Sequence, residues 1–353
     1  MKINFIMPGL GDSGGIKVVR KYVSMMSEKG IDVIIYSPVK AYNLYRYKSK
    51  LKNKIHQFYC TIKNVYTFMK NEKREIKWVW SVNNHTIRDA DVVIATTWAT
   101  AYDVAAMNKK KGEKYYFIQG FEIWDNYKLG IKSYELPLRK IVVSSWINKQ
   151  LKENLNIGPF PVVYNGINLD KFYNENKVFK QKNEKKQFLM LNHVLETKGV
   201  SYGIQVFERV REKYPEIKIK MFGMCSNNNL PDYVEYIYMP SPDTLKKLYC
   251  ESDIFIFPSL EEGWGLTPIE AMACECAVVG TNTGFVLDLG RHGENMLISN
   301  PKDVEGMVNN ICELMENPKK LERISIGGRQ TVNELSWDKA YGKFIKCMEL
   351  SNE

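Results

Sequence analysis

Short apolar runs alternate with amphipathic stretches along most of this chain, and the alternation starts afresh half-way. Ile3–Met7 reads as a buried strand, and Ser13-Gly14-Gly15 then opens a segment with Ile16, Val19, Val23 and Met26 at helical spacing, closed by Gly30. Val33–Tyr36, Val92–Ala95, Tyr115–Ile118, Ile141–Val143 and Val162–Tyr164 are further strand-like runs. The polar, charged stretch Asn174–Gln187 reads as a linker. After it the pattern restarts with strands at Phe188–Leu191, Ile217–Phe222, Tyr236–Tyr238, Ile254–Phe257 and Ala277–Val279. Helices are predicted between them at Tyr202–Lys213, Asp243–Cys250 and Pro268–Cys276, and a last one runs from about Trp337 to Leu350. Strands alternating with helices call for a parallel sheet covered on both faces. The pattern therefore predicts an α/β protein with two Rossmann-like domains facing each other across a cleft. Open α/β sheets take their ligands at the carboxyl ends of the strands.

Composition agrees with two domains. At roughly 150 residues each, 353 residues make about two, and 25% charged with 44% hydrophobic residues excludes disordered and disulfide-scaffold classes. The longest charge-free run, Asn154–Leu169, is 16 residues broken by Pro159, Pro161 and four asparagines, so no bilayer-spanning helix is expected. The apolar part of Met1–Gly9 is too short for a signal peptide. Seven cysteines, with no C-x-x-C pair and only Cys274 and Cys276 close together, point to free thiols in a reducing cytoplasm. The histidines at 56, 85, 193 and 292 show no metal-ligand spacing, so no metal is expected.

The net charge of +10 is concentrated. From Lys40 to Lys77 eleven Lys/Arg face only Glu72 and Glu75, interleaved with Tyr42, Tyr45, Tyr47, Phe58, Tyr59, Tyr66 and Phe68. The segment suits a solvated helical face, or an anionic membrane surface. No nucleic-acid motif accompanies it, and no nucleic-acid partner is expected.

Gly9-Leu10-Gly11-Asp12-Ser13-Gly14 fits a dinucleotide-binding glycine pattern, but that site needs an acid at the end of the second strand, and Asp32 precedes it. What remains is a glycine turn at a helix start, either a plain tight turn or one whose Gly14 and Gly15 amides face an anion. Asp89-Ala90-Asp91 has the look of a metal–diphosphate pair, yet it precedes a strand and reads better as a solvated connection. The run Glu262-Gly263-Trp264-Gly265-Leu266-Thr267-Pro268-Ile269-Glu270 is stronger, because it follows Ile254–Phe257 and leads into a helix. Its glycines let a ligand approach the backbone. Thr267 is the expected N-cap with Pro268 first in the helix, so that free amides suit a phosphate or sugar hydroxyls. Glu270 also fits a capping box with Thr267, which leaves Glu262 unexplained. Lys198, in Asn192-His193-Val194-Leu195-Glu196-Thr197-Lys198-Gly199, is either a point charge for a diphosphate or a solvated surface lysine. Tyr164-Asn165-Gly166-Ile167-Asn168 reads as a hinge between the domains.

Taken together, Ser13-Gly14-Gly15, Val143-Ser144, Tyr164–Asn168, Lys198-Gly199, Pro258-Ser259, Glu261–Gly265, Glu270–Cys274 and Trp337 resemble a family-4 retaining glycosyltransferase of the GT-B fold. Tyr115–Trp124 resembles the polysaccharide-building, rhamnosyltransferase-like members. The resemblance implies an acceptor domain over 1–165, a nucleotide-sugar donor domain over 166–336, and a helix over 337–353 returning to the first domain. Glu262, Gly263, Trp264 and Gly265 would contact the donor sugar, Leu266 and Thr267 the diphosphate, and Glu270 the ribose. Lys198 would neutralise the leaving diphosphate, with Gly15 approaching it from the first domain, and no metal or other cofactor would be needed. Two departures stand out. His193 occupies the place of a family arginine, offering one hydrogen bond for a charged fork, so that leaving-group stabilisation would weaken above the histidine pKa. Gln119 occupies the place of a histidine and would position hydroxyls. The expected partners are a nucleotide-sugar donor and a glycan or lipid-linked acceptor, at the cytoplasmic face of a membrane met through Lys40–Lys77. A non-catalytic nucleotide-sugar-binding subunit is the alternative.

Overall fold

The computed structural model describes residues 1–11, 13–70, 75–226 and 230–349, residue 70 by its backbone alone. Asp12 of the glycine pattern, Glu72, Lys73 and Arg74 of the basic segment, and Leu350 lie outside the described residues. The chain divides into two compact units, Met1–Val143 with Ile147–Val163 and Lys343–Glu353, and Ser144–Trp146 with Tyr164–Gly342.

In chain order the first unit carries β1 (Lys2–Ile6), α1 (Gly14–Glu28), β2 (Asp32–Pro38), α2 (Lys50–Lys70), β3 (Ile76–Val79), β4 (Val92–Ala95), α3 (Trp98–Ala106), β5 (Glu113–Ile118), α4 (Tyr127–Ser133), β6 (Arg139–Val142) and α5 (Ser145–Leu155). The second continues with β7 (Gln187–Asn192), α6 (Val200–Lys213), β8 (Lys218–Gly223), β9 (Val234–Tyr238), α7 (Pro242–Glu251), β10 (Ile254–Phe257), α8 (Leu266–Ala273), β11 (Ala277–Thr281), α9 (Val286–Leu289), β12 (Leu297–Ser299), α10 (Val304–Glu316) and α11 (Pro318–Asn333), and α12 (Trp337–Glu349) begins in the second unit and belongs to the first from Lys343 on. The first sheet runs β3-β2-β1-β4-β5-β6 and the second β9-β8-β7-β10-β11-β12, with every pairing parallel. Each is thus the doubly wound order, reversing between β1 and β4 and between β7 and β10.

Burial explains why the strands are plain in the sequence. All four residues of β4 and of β10 are buried, as a parallel strand covered on both faces requires. Midway along α12, Phe344 stacks on Tyr22 with ring centroids 4.6 Å apart and meets Phe117 edge-on at 5.0 Å, inside the first unit's core.

Three expectations need correction. Val162–Tyr164 is no strand. Val162 makes a single bridge to Val142, and Pro161, which has no N–H to donate, stands at its head. The expected linker is bound to the second unit. Lys177 Nζ donates to Ser252 O at 2.7 Å, and Lys180 Nζ meets the buried Asp253 carboxylate at 2.6 Å. Finally, α8 begins at Leu266 with Gly265 as its N-cap, so Thr267 is the second helical residue and Pro268 the third.

Candidate active site

The two switch points carry different chemistry. In the second unit, β7 runs into a turn of 3₁₀ helix, Glu196–Lys198, and β10 into the loop that ends at α8. These connections are sewn together, since the amide of Leu260 donates to Thr197 O at 2.8 Å. Gly199 is required at their junction. Its φ is +65°, and an added Cβ would lie 1.9 Å from Pro258 O. With the loops so placed, Lys198 Nζ reaches Glu262 Oε2 at 2.6 Å, and both side chains are mostly buried. The bland reading of Lys198 as a solvated lysine is thereby excluded. His193 is half-buried and shares their field. Burial first, then the Lys198 ammonium, holds its imidazole below the ordinary histidine range, against the opposing pull of Glu262. Its Nδ1 accepts the Leu195 amide at 3.0 Å, which assigns the proton of the neutral ring to Nε2.

Gly265 has φ +100°, open to glycine and strained for other residues, and this conformation lets α8 start two residues earlier than threonine capping would. The amides of its first turn are the free donors at a helix's positive end. Glu270 is half-buried and accepts the Tyr249 hydroxyl at 3.0 Å, so capping is not what engages its Oε2. The Trp264 indole is buried, stacked on Tyr164 with centroids 5.1 Å apart, so what Trp264 can offer a ligand is its main chain. Gly263 O is taken by the Ser144 hydroxyl at 2.5 Å. Leu266 and Thr267 remain partly exposed at the head of α8.

Two braces on this loop have no sequence signature of their own. The Phe285 amide donates to Trp264 O at 2.8 Å, and Asp288 accepts both the Ser145 amide and the Tyr164 hydroxyl at 2.9 Å.

In the first unit, Ser13 caps α1 through Ile16 N, which puts Gly14 and Gly15 in the first turn. Gln119 lies just past β5, and a Cβ on Gly15 would meet its Nε2 at 3.3 Å, so the two candidates are neighbours. Gln119 Oε1 is buried without a hydrogen-bond partner. Three residues on, Glu122 is a feature that sequence reasoning misses. It is buried, accepts the Trp98 amide at 2.7 Å and the Tyr116 hydroxyl at 3.0 Å, and burial pushes its carboxyl up to about 8. The discounted motifs are structural. Asp32 pairs with Arg88 at 2.7 Å, Asp89 with Lys111 at 2.7 Å, and Asp91 accepts the Lys2 amide at 2.6 Å. Among the described residues no three His, Cys, Asp or Glu side chains converge on a metal-sized site.

The model of the family "Glycosyl transferases group 1" matches residues 172–331. The matched stretch lies within the second unit and covers a little under half of the chain. The capsular polysaccharide biosynthesis glycosyltransferase CapM of Staphylococcus aureus is 26% identical over 207 residues, 52% of this chain and 54% of that one. The chain spans a little over half the length of the curated relatives it matches. Sucrose-phosphate synthase from Thermosynechococcus elongatus superposes with a TM-score of 0.74 at 15% identity, over 99% of this chain and 98% of that one. Anabaena HepE in complex with UDP-glucose gives 0.72 at 12% identity, over 99% of both chains. At such identity these structures speak for the fold, and the fold is GT-B. The matched stretch includes Lys198, Glu262 and the whole loop to Glu270.

Proposed function

We propose that this chain transfers a sugar from a nucleotide-diphosphate donor to a glycan or lipid-linked acceptor, with retention and without a metal. The observation that carries the reading is the Lys198–Glu262 pair, set at the β7/β10 switch point beside the free amides of α8. Breaking an anomeric C–O bond leaves positive charge on carbon and negative charge on the departing phosphate. Lys198 and the amides at Leu266 and Thr267 oppose that negative charge, and such preorganised electrostatics is the largest catalytic effect available to a site of this kind. Glu262 holds the lysine in place and accepts a donor-sugar hydroxyl, while the backbone of Gly263, Trp264 and Gly265 lines the sugar. Glu270 takes the ribose hydroxyls, and His193 gives one hydrogen bond from Nε2. In the first unit Gly14 and Gly15 present amides, and the unpartnered Oε1 of Gln119 takes a hydroxyl. Retention would follow from attack by the acceptor on the face the diphosphate leaves.

The similarity to CapM supports a surface polysaccharide as the product, built at the cytoplasmic membrane face where Lys40–Lys77 suits anionic headgroups. The test is thermal stabilisation by UDP, GDP, dTDP and CMP, each with and without EDTA. A bound ligand raises stability by RT ln(1 + [L]/Kd), so the preferred nucleotide stands out at millimolar concentration. UDP is the first to try, because HepE holds UDP-glucose. One diphosphate shifting the midpoint regardless of EDTA is the expected result, and no shift from any of them would overturn the donor site.

A further inference from the structure

Helix α2 is amphipathic the wrong way round for a soluble protein. Its apolar residues Leu51, Ile55, Phe58, Ile62, Val65 and Met69 follow one another at steps of four and three, a single stripe along the helix. Such a stripe normally faces the core. Here all six are exposed, between 39% and 75%, and Tyr59 and Tyr66 widen the stripe on one side. The face turned to the protein is polar. Asn53 exchanges hydrogen bonds with both main-chain groups of Tyr47, at 2.8 and 2.7 Å. Gln57 Nε2 donates to Ala41 O at 2.7 Å, Thr61 Oγ1 accepts the Ala41 amide at 3.0 Å, and Asn64 Nδ2 donates to Pro38 O at 3.0 Å. The helix is thus fastened by amides and hydroxyls, and it presents its oily side outward.

The charges sit where an interface needs them. Five lysines and no acid lie in the α2 sequence. At 100° per residue, Lys54 borders one edge of the stripe and Lys52 and Lys63 the other, with Lys63 Nζ 5.1 Å from the Tyr59 ring. Lysines flanking an apolar arc can extend to headgroups while the arc enters the acyl boundary. The same four-and-three spacing would also suit a second copy of the helix, but pairing would set lysine rows against lysine rows with no acid to answer them. An anionic bilayer supplies the missing charge. No described helix is long and apolar enough to cross a membrane, so a bilayer met through α2 would be met in the plane of the interface.

We infer that α2 is an in-plane membrane helix, whose Leu51–Met69 stripe inserts into an anionic bilayer while its flanking lysines bind the headgroups. This goes further than charge attraction by the basic segment, and it leans on the transferase reading only for its purpose, bringing the enzyme to a lipid-linked acceptor. The test is flotation of the full chain with vesicles of phosphatidylglycerol and phosphatidylcholine, at low salt and at high salt. The unmodified chain is expected to float with the mixed vesicles, and the triple variant I55S/F58S/I62S to lose at least about ten-fold in bound fraction at both salts. K52Q/K54Q/K63Q should lose binding mainly at low salt. All six positions are exposed, so unfolding midpoints should be unchanged, and F58W should show a blue-shifted emission with the vesicles. Failure of the unmodified chain to float, or flotation of the serine variant as strong as the original, would overturn the inference. So would a dimer in light scattering that the serine variant dissolves. Vesicle binding is read without donor or acceptor, so a failed nucleotide shift beside intact flotation would sink the transferase reading alone.

Discussion

The two units share a strand order yet fill their switch points with opposite chemistry. Past β7 and β10 stand an ion pair, a histidine and a glycine-capped helix start, all suited to a multiply charged anion. Past β1, β4 and β5 stand two glycines, a glutamine and a buried carboxyl that burial keeps protonated at neutral pH. One topology therefore offers a charged site in one unit and a neutral one in the other. The lesson is that topology fixes where a site lies, and side chains at the strand ends fix what it can bind.

The largest test of this contrast removes the charge. Lys198→Ala is expected to lower kcat/KM about 100- to 1,000-fold, or about 3–4 kcal/mol of transition-state stabilisation. Gln119→Ala, which deletes one neutral hydrogen bond, should cost about ten-fold. Steady-state kinetics on the best donor checks both, and equal losses would abolish the distinction. Glu262→Gln belongs to the same series, and unchanged transfer in it would remove Glu262 from the site.

Gly199→Ala comes next, and it separates scaffold from chemistry. The left-handed backbone and the contact with Pro258 O together should cost about 2–3 kcal/mol in stability, read as a lowered unfolding midpoint. Gly30→Ala, with φ +78° but nothing within 4 Å of the new Cβ, should cost about 1 kcal/mol. If the two match, the close approach of the β7 and β10 loops is not what holds the site.

The neutral site has its own signature in pH. Glu122 titrates at about 8 in the folded chain, raised by burial, and near the ordinary carboxylate value once unfolded. The folded state then holds the extra proton across that window, so its contribution is complete below the unfolded value and fades as pH rises through about 8. Stability should fall with a slope of at most about 1.4 kcal/mol per pH unit from this group, and Glu122→Gln should flatten it. Denaturant midpoints between pH 5 and pH 8, compared for the two proteins, decide the matter.

Much of the fold is legible in the amino-acid sequence. Buried parallel strands announce themselves as apolar runs, and β4 and β10 can be placed to the residue on that signal alone. The edge strands β3 and β12 escape it, because β3 is only half-buried and β12 is three residues long. The start of α8 is misread for a conformational reason. Thr267 is a good capping residue, but the +100° φ of Gly265 begins the helix before the threonine is reached. Lys198 and Glu262 stand out as candidates by their places after strands. That they touch across 64 residues, and that Phe285 and Asp288 brace the loop, are facts of packing with no local pattern to betray them. Helix α2 shows the limit most clearly, because periodicity finds an apolar stripe and cannot say which way it faces.

The smallest expected effect concerns His193, and it refines the charged side of the comparison. An imidazole titrating near 7 would make transfer weaken as the pH rises through neutrality. Burial and Lys198 instead hold His193 below its ordinary value of 6.5, so at pH 7 and above the ring is already neutral. With Nδ1 engaged by Leu195, it contributes one uncharged hydrogen bond from Nε2, worth about 0.5–1.5 kcal/mol. His193→Ala should therefore lower kcat/KM by about 3- to 10-fold, and by the same factor at every pH from 7 to 9. A descending limb near pH 7 in the unmodified chain that vanishes in His193→Ala would show that the histidine acts as a charge. In that case the leaving group would be met by two cations rather than by Lys198 and helix amides.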